Sequence, residues 1–142
     1  MNLPTYLKAD FHTHPLGDKY CYQPSWKLSS RDRESISHFL RAMHKSGLHL
    51  LACVDHHSVA SGLWALEEAI RLGCPFTVIP GAEVAVRGAS QSLHLLAYNI
   101  YEDIPSQRLS VEDAAERIRR QGGIAVLAHP VKYPQELKMN PG

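Results

Sequence analysis

The side chains in this sequence that could do chemistry are imidazoles and carboxylates, and they fall into short, separated groups. Nine histidines accompany only three phenylalanines. Asp10, His12 and His14 form one group, Asp55, His56 and His57 a second, and Glu83, His94 and His129 stand at three further places. Imidazole nitrogen and carboxylate oxygen bind divalent transition metals, and together they suit zinc, manganese or iron better than calcium or magnesium. Side chains two apart in an extended segment project to the same side, so His12 and His14 can reach one ion. Asp10 could join them as a ligand or could orient a ligating imidazole from behind. Asp55-His56 repeats the carboxylate–imidazole pairing.

Each group also has a plainer reading. A lone histidine after a strand is in most proteins a loop residue bonded to backbone; the weight here lies in five segments acting together. His38 and His44 fall on the polar flank of a helix and His49 at a strand entrance, so these three are read as structural. Trp26 and Trp64 read as packing residues. Arg31, Arg87 and Lys132 could meet a phosphate but carry no pattern, and read as solvated charges. There is no Gly-x-Ser-x-Gly elbow, no phosphate-binding Gly-x-x-x-x-Gly-Lys and no Gly-x-Gly-x-x-Gly. No ladder of aromatic and basic residues suggests single-stranded nucleic acid.

The elements that must position these groups alternate. Tyr6 to Phe11 is a short strand, followed by a polar loop through Pro15, Gly17, Pro24 and Ser30. Ser29-x-x-Asp32 opens a helix with Ile36, Phe39, Leu40 and Met43 at helical spacing, stopped by Gly47. Leu48 to Val54 is an apolar strand, the pattern of burial on both faces. A second helix carries Leu63, Leu66 and Ile70 and ends near Gly73. Phe76 to Ile79 and Val84 to Val86 are strand-like, and Leu93 to Ile100 returns after the turn Arg87–Gln91. Ser110-x-x-Asp113 opens a third helix with Val111, Ala114 and Ile118 on one face, and Ile124 to Ala128 is a last strand. From Val131 onward, through Pro134 and Pro141, the chain reads as loop. This order predicts an α/β fold with a mostly parallel sheet. Ligands in such folds gather at the carboxyl ends of strands, where the imidazoles and carboxylates fall.

The bulk properties narrow the class. A length of 142 residues fits one domain, 1–142. A net charge of +1 calls for neither a nucleic-acid backbone nor an anionic membrane. Cys21, Cys53 and Cys74 are odd in number and form no Cys-x-x-Cys, which argues for a reducing, cytoplasmic setting. The N-terminal residues lack the apolar core of a leader, and no run approaches a membrane span.

Five motifs occur in order: Asp-Phe-His-Thr-His (10–14), Val-Asp-His-His-Ser-Val-Ala-Ser-Gly (54–62), Pro-Gly-Ala-Glu-Val (80–84), His-Leu-Leu-Ala-Tyr (94–98) and Ala-His-Pro (128–130). Together they resemble the PHP superfamily of polymerases and histidinol phosphatases, over residues 8 to 130. The resemblance implies a distorted seven-stranded β/α barrel with two or three divalent ions, zinc, manganese or iron. By that likeness His12, His14 and Glu83 hold one ion, and Glu83 bridges to a second held by His94 and His129. His56 and Asp18 take a third. Apart from the likeness, Asp10 and Asp55 are read from the residues as carboxylates that orient ligating imidazoles. The implied activity is hydrolysis of a small phosphomonoester, histidinol phosphate-like, or of a nucleotide or nucleic-acid end, with metal-bound hydroxide as the nucleophile.

Three departures from the family pattern stand out. The usual Thr-Asp-His-Asp reads Val54-Asp55-His56-His57, the first loop reads Pro15-Leu16-Gly17-Asp18, and the C-terminal Gly-Ser-Asp-x-His segment is missing. A β/α barrel takes about 200–250 residues, so this chain is expected to be an N-terminal portion with four or five strands, or to need a partner chain. An amidohydrolase-type barrel is the alternative enzyme, disfavoured because the middle strand end offers Glu83 rather than a lysine. A catalytically inactive metal-binding or scaffolding domain is the alternative outside enzymes.

Overall fold

The computed structural model describes residues 6–133. The extreme N-terminus and the loop expected through Pro134 and Pro141 lie outside the described residues. The elements are β1 (Ala9–Thr13), α1 (Ser30–Met43), β2 (Leu50–Cys53), α2 (Ala60–Arg71), β3 (Thr77–Arg87), β4 (Ser92–Tyr98), α3 (Val111–Arg120) and β5 (Ile124–Leu127), with a 3-10 turn over Pro130–Lys132. The strands form one sheet in chain order, curled into a half-barrel with the helices flanking it. The fold is α/β, as its alternation predicts. No helix among the described residues is long and apolar enough to cross a membrane.

The sheet is mixed rather than mostly parallel. β1, β2 and the first half of β3 pair in parallel, whereas β3 with β4 and β4 with β5 are antiparallel. The physical reason is the short turn after Arg87, where Gly88 N–H donates to the Gln91 carbonyl at 2.9 Å. A connection that short can only reverse the chain. The two pieces expected at Phe76–Ile79 and Val84–Val86 are one continuous strand of 11 residues. Pro80 and Gly81 do not break it; they mark where its partner changes. Pro80 is the last residue in register with β2, and Gly81 the first in register with β4. A Cβ on Gly81 would stand 2.3 Å from the Ala97 carbonyl oxygen, so only glycine lets β4 approach there.

α1 begins with a capping box. Ser29 Oγ accepts from Asp32 N–H at 3.1 Å and Asp32 Oδ2 accepts from Ser29 N–H at 2.9 Å. Its Ile36 and Leu40 are fully buried, as their spacing predicts. The expected face of α2 holds in part. Leu63 and Leu66 pack half-buried against the core, Ile70 is 75% exposed, and the residues that turn fully inward are Ser61, Gly62, Ala65, Glu68 and Ala69. A Cβ on Gly62 would meet the Cys53 carbonyl oxygen and Gly81 nitrogen at 2.8 Å each. α2 therefore lies against strand backbone, and small residues win over large ones on that face. α3 buries Ala114 and Ile118, as expected.

Two apolar clusters fill the space under the helices. Ile36, Leu40, Leu51, Cys53, Ala65 and Val78 join α1 and α2 to the sheet. Val84, Val86, Leu95, Ala97, Ala114 and Ile118 join α3 to it. A smaller cluster of Ala52, Val54, Leu96 and Ala128, with Ile79 and Tyr98 against it, completes the core. Tyr98 donates its hydroxyl to the Phe11 carbonyl at 2.7 Å, tying β4 to β1, two strands that are not neighbours in the sheet.

Candidate metal centre

Alternation along the strands sets which side chains converge. On β3, Ile79, Gly81 and Glu83 share a face, and on β4 His94, Leu96 and Tyr98 share theirs. Glu83 lies inside β3 rather than just after a strand, correcting its expected place. It is still at the rim, because β2 has already ended beside it. Beyond Cys53 the backbone continues along β3, with Glu83 N–H donating to the Asp55 carbonyl at 3.1 Å and His57 N–H to the Glu83 carbonyl at 2.9 Å. β1 also runs further than expected: His12 is within it, and His14 follows directly. His129, two residues past the end of β5, opens the 3-10 turn in a left-handed conformation, φ +33°. That conformation is strained for a residue with a side chain, the kind of strain that collects at functional sites.

Around Glu83 the distances are short. His12 Nε2 and His14 Nε2 both lie 2.9 Å from Oε2, and they stand 3.0 Å from each other. His94 Nδ1 lies 2.7 Å and His129 Nε2 2.9 Å from Oε1. Two imidazoles thus share each oxygen of one carboxylate that is only 2% exposed. The ligand atoms of His12, His14 and Glu83 lie within 4.8 Å of one another, as do those of Glu83, His94 and His129, and each group could hold a metal ion. A tetrahedral ion with bonds near 2.0–2.1 Å wants donor atoms about 3.4 Å apart. The donor set has that chemistry and nearly that spacing.

Electrostatics follow from this crowding. Burial alone would raise the Glu83 carboxyl, but hydrogen bonds from His14, His94, His12 and His129 outweigh it and hold the group far below the usual carboxylate range. For His14, burial favours the neutral ring, yet the bond and charge of Glu83 prevail and raise its pKa. Burial, then the neighbouring His14, lowers that of His56.

The outer members are placed unequally. His56 Nδ1 stands 4.0 Å from Glu83 Oε2. Its Nε2 is 3.8 Å from the Asp18 carboxylate, which is 96% exposed and beyond hydrogen-bonding reach. Asp10 does not meet the imidazoles; its Oδ1 accepts the His12 backbone N–H at 3.2 Å. Asp55 stands behind His14 rather than His56, with Oδ1 4.0 Å from His14 Nδ1, and burial raises its pKa to about 6. The ring nitrogens His14 Nδ1 and His129 Nδ1 are buried with no hydrogen-bond partner among the described residues.

His49 is structural as read, accepting Lys8 N–H at 3.0 Å, and His38 is exposed. Sequence reasoning grouped His57 with Asp55 and His56 without a role, read Trp26 as packing, and gave Ser106 no part. His57 is buried between the Ser106 hydroxyl, 2.6 Å away, and the Cys21 carbonyl, 2.8 Å away. Trp26 does more than pack, since its Nε1–H donates to the His56 carbonyl at 2.8 Å. Ser106 carries no spacing signal, and backbone carbonyls as partners have no signature in a sequence.

No family model matches the chain. Over 126 residues it is 30% identical to the uncharacterized protein MJ1587 of Methanocaldococcus jannaschii, a match covering 87% of this chain and 68% of the archaeal protein.

Proposed function

The chain belongs to the family that includes the archaeal protein MJ1587, and from that premise and the geometry at Glu83 we propose that it is a metal-dependent phosphoesterase built on a PHP-type β/α barrel. One observation carries the proposal: a single buried carboxylate offers each of its oxygens to a separate pair of imidazoles. That is how a bridging ligand between two cations is laid out. His12 and His14 with Glu83 would hold one ion, His94 and His129 with Glu83 a second, and His56 with Asp18 a third. Zinc, manganese or iron fits this nitrogen and oxygen set. When bound, such ions supply Lewis acidity and a water activated near neutral pH.

The chain's own residues do the rest. Glu83 stays anionic through the physiological range and offsets part of the cationic charge. Asp55, 4.0 Å behind His14 Nδ1 and beyond hydrogen-bonding reach, acts on that ring through its charge and favours its cationic form. The rim of imidazoles suits a tetrahedral, anionic phosphoryl group better than a neutral amide. Among the described residues the side chains bonded to Glu83 are all imidazoles, and the resemblance carried by the five motifs favours phosphate esters over the amidohydrolase alternative.

The test begins with metal rather than turnover. After dialysis against a metal-free buffer, elemental analysis should find zinc, manganese or iron in the wild type and less than about a tenth of it in Glu83→Gln, a loss expected for a bridging ligand. Phosphate release from a panel of phosphomonoesters should then depend on the metal and vanish in the same variant. Equal metal in wild type and Glu83→Gln would overturn the proposal, and hydrolysis of amides but not phosphate esters would replace it with the amidohydrolase reading.

A further inference from the structure

Three consecutive residues beyond the end of β2 are each fastened to the segment 15–29 that joins β1 to α1. Leu16 N–H donates to Asp55 Oδ1 at 3.0 Å. Trp26 Nε1–H donates to the His56 carbonyl at 2.8 Å. His57 Nε2–H donates to the Cys21 carbonyl at 2.8 Å. A carbonyl only accepts, so this last contact puts a proton on His57 Nε2 and leaves Nδ1 to accept from the Ser106 hydroxyl.

The other side of the segment is anchored as well. The Tyr20 ring lies flat on Trp26, centroids 4.0 Å apart and planes 4° from parallel. Its hydroxyl donates to Asp32 Oδ2 at 2.8 Å, and Lys19 pairs with Asp32 Oδ1. Asp32 is buried in the first turn of α1. Between these fastenings lies Asp18, exposed to solvent yet 3.8 Å from His56 Nε2. An exposed aspartate on an unanchored loop would spread over many positions, and confining it costs conformational entropy at each binding event. Here that ordering is built into the fold.

We propose that Trp26 and His57 are positioning residues that hold segment 15–29 against the end of β2, so that Asp18 and His56 stand ready as one cation position beside Glu83. The inference rests on the metal-centre reading above and adds what arranges its outermost position. Residues that hold ligands in place cost about 10–100-fold in metal affinity when removed.

Cobalt(II) titration of the full chain tests it, followed by visible absorption and by bound cobalt after gel filtration. Trp26→Phe keeps the ring on Tyr20 and removes the N–H. Asp18→Asn changes an exposed side chain that no fold depends on. Both should weaken one class of cobalt about tenfold and reproduce the altered spectrum of His56→Ala, while the cobalt abolished by Glu83→Gln remains. A merely structural residue would leave the cobalt spectrum unchanged. If Trp26→Phe loses its far-UV circular dichroism, Tyr20→Phe decides, since it loosens the same segment from the α1 side. Wild-type affinity and spectrum in Trp26→Phe, with cobalt lost in Glu83→Gln, overturns the positioning role and leaves the centre standing. So does a His56→Ala protein that binds cobalt as wild type does. Unchanged cobalt in Glu83→Gln removes the centre and this inference with it.

Discussion

At the scale of single residues, chemistry was legible wherever a motif placed two groups on one side of an extended segment. His12 and His14 share an oxygen of Glu83 because residues two apart point the same way. What a single residue bonds across the fold was not legible, and Asp32 shows the difference. Ser29-x-x-Asp32 announces a helix cap, but nothing in the spacing announces that Lys19 and Tyr20 also converge on that carboxylate. Burial would raise the Asp32 pKa; the bonds from Lys19, Ser29 and Tyr20 outweigh it and hold the group well below the usual range. A carboxyl depressed in the folded state stabilises fully above its unfolded pKa, about 3.9, and loses that contribution as pH falls toward the folded value. Asp32→Asn should therefore cost about 2 kcal/mol at pH 7, with the gap to wild type closing steadily below about pH 4. Urea unfolding at pH 7, 5 and 3 measures it, and a gap that stays constant across that range would contradict the assigned network.

At the scale of elements, α2 separates local preference from packing. By propensity alone alanine is better than glycine inside a helix by about 1 kcal/mol. Gly62 reverses that sign, because the added Cβ would press on two backbone atoms, the Cys53 carbonyl oxygen and Gly81 nitrogen. Gly62→Ala is expected to destabilise by about 2 kcal/mol through the forced shift of α2. A thermal melt showing equal or higher stability would mean that the helix is free to move away. Of the expected face, Leu63 and Leu66 reach the core half-buried and Ile70 turns to solvent, for the same reason. Large apolar residues mark the core side of a helix when it packs on side chains, but against a bare strand backbone the core side is the one that is nearly empty.

At the scale of the whole molecule, the centre ties the fold together across long stretches of chain. β1, β3, β4 and the turn after β5 all contribute to Glu83's surroundings, and none of these side chains meets in an unfolded chain. Metal that binds only the folded state must stabilise it by mass action, about 2.7 kcal/mol at a hundredfold excess over Kd. For a domain of this size that is a rise of about 8 °C in Tm. Adding zinc or manganese to metal-free protein and following the melt by circular dichroism checks this. The rise should disappear in Glu83→Gln. A metal-independent Tm in the wild type would mean that the imidazoles gather there without ligating.

Periodicity, caps and glycine stops determined by themselves that the chain is α/β, which segments are helical, and which imidazoles and carboxylates lie at the strand rim. These are local properties, written in neighbouring residues. The tertiary structure alone decided that β5 pairs with β4, that β3 is unbroken through Pro80-Gly81, and that Asp55 stands behind His14 rather than His56. It also decided the parts played by Trp26 and His57. Those features depend on which backbone atoms from distant segments come within about 3 Å, a distance set by the mutual packing of all the elements, and a carbonyl or amide is the same group at every position of a sequence.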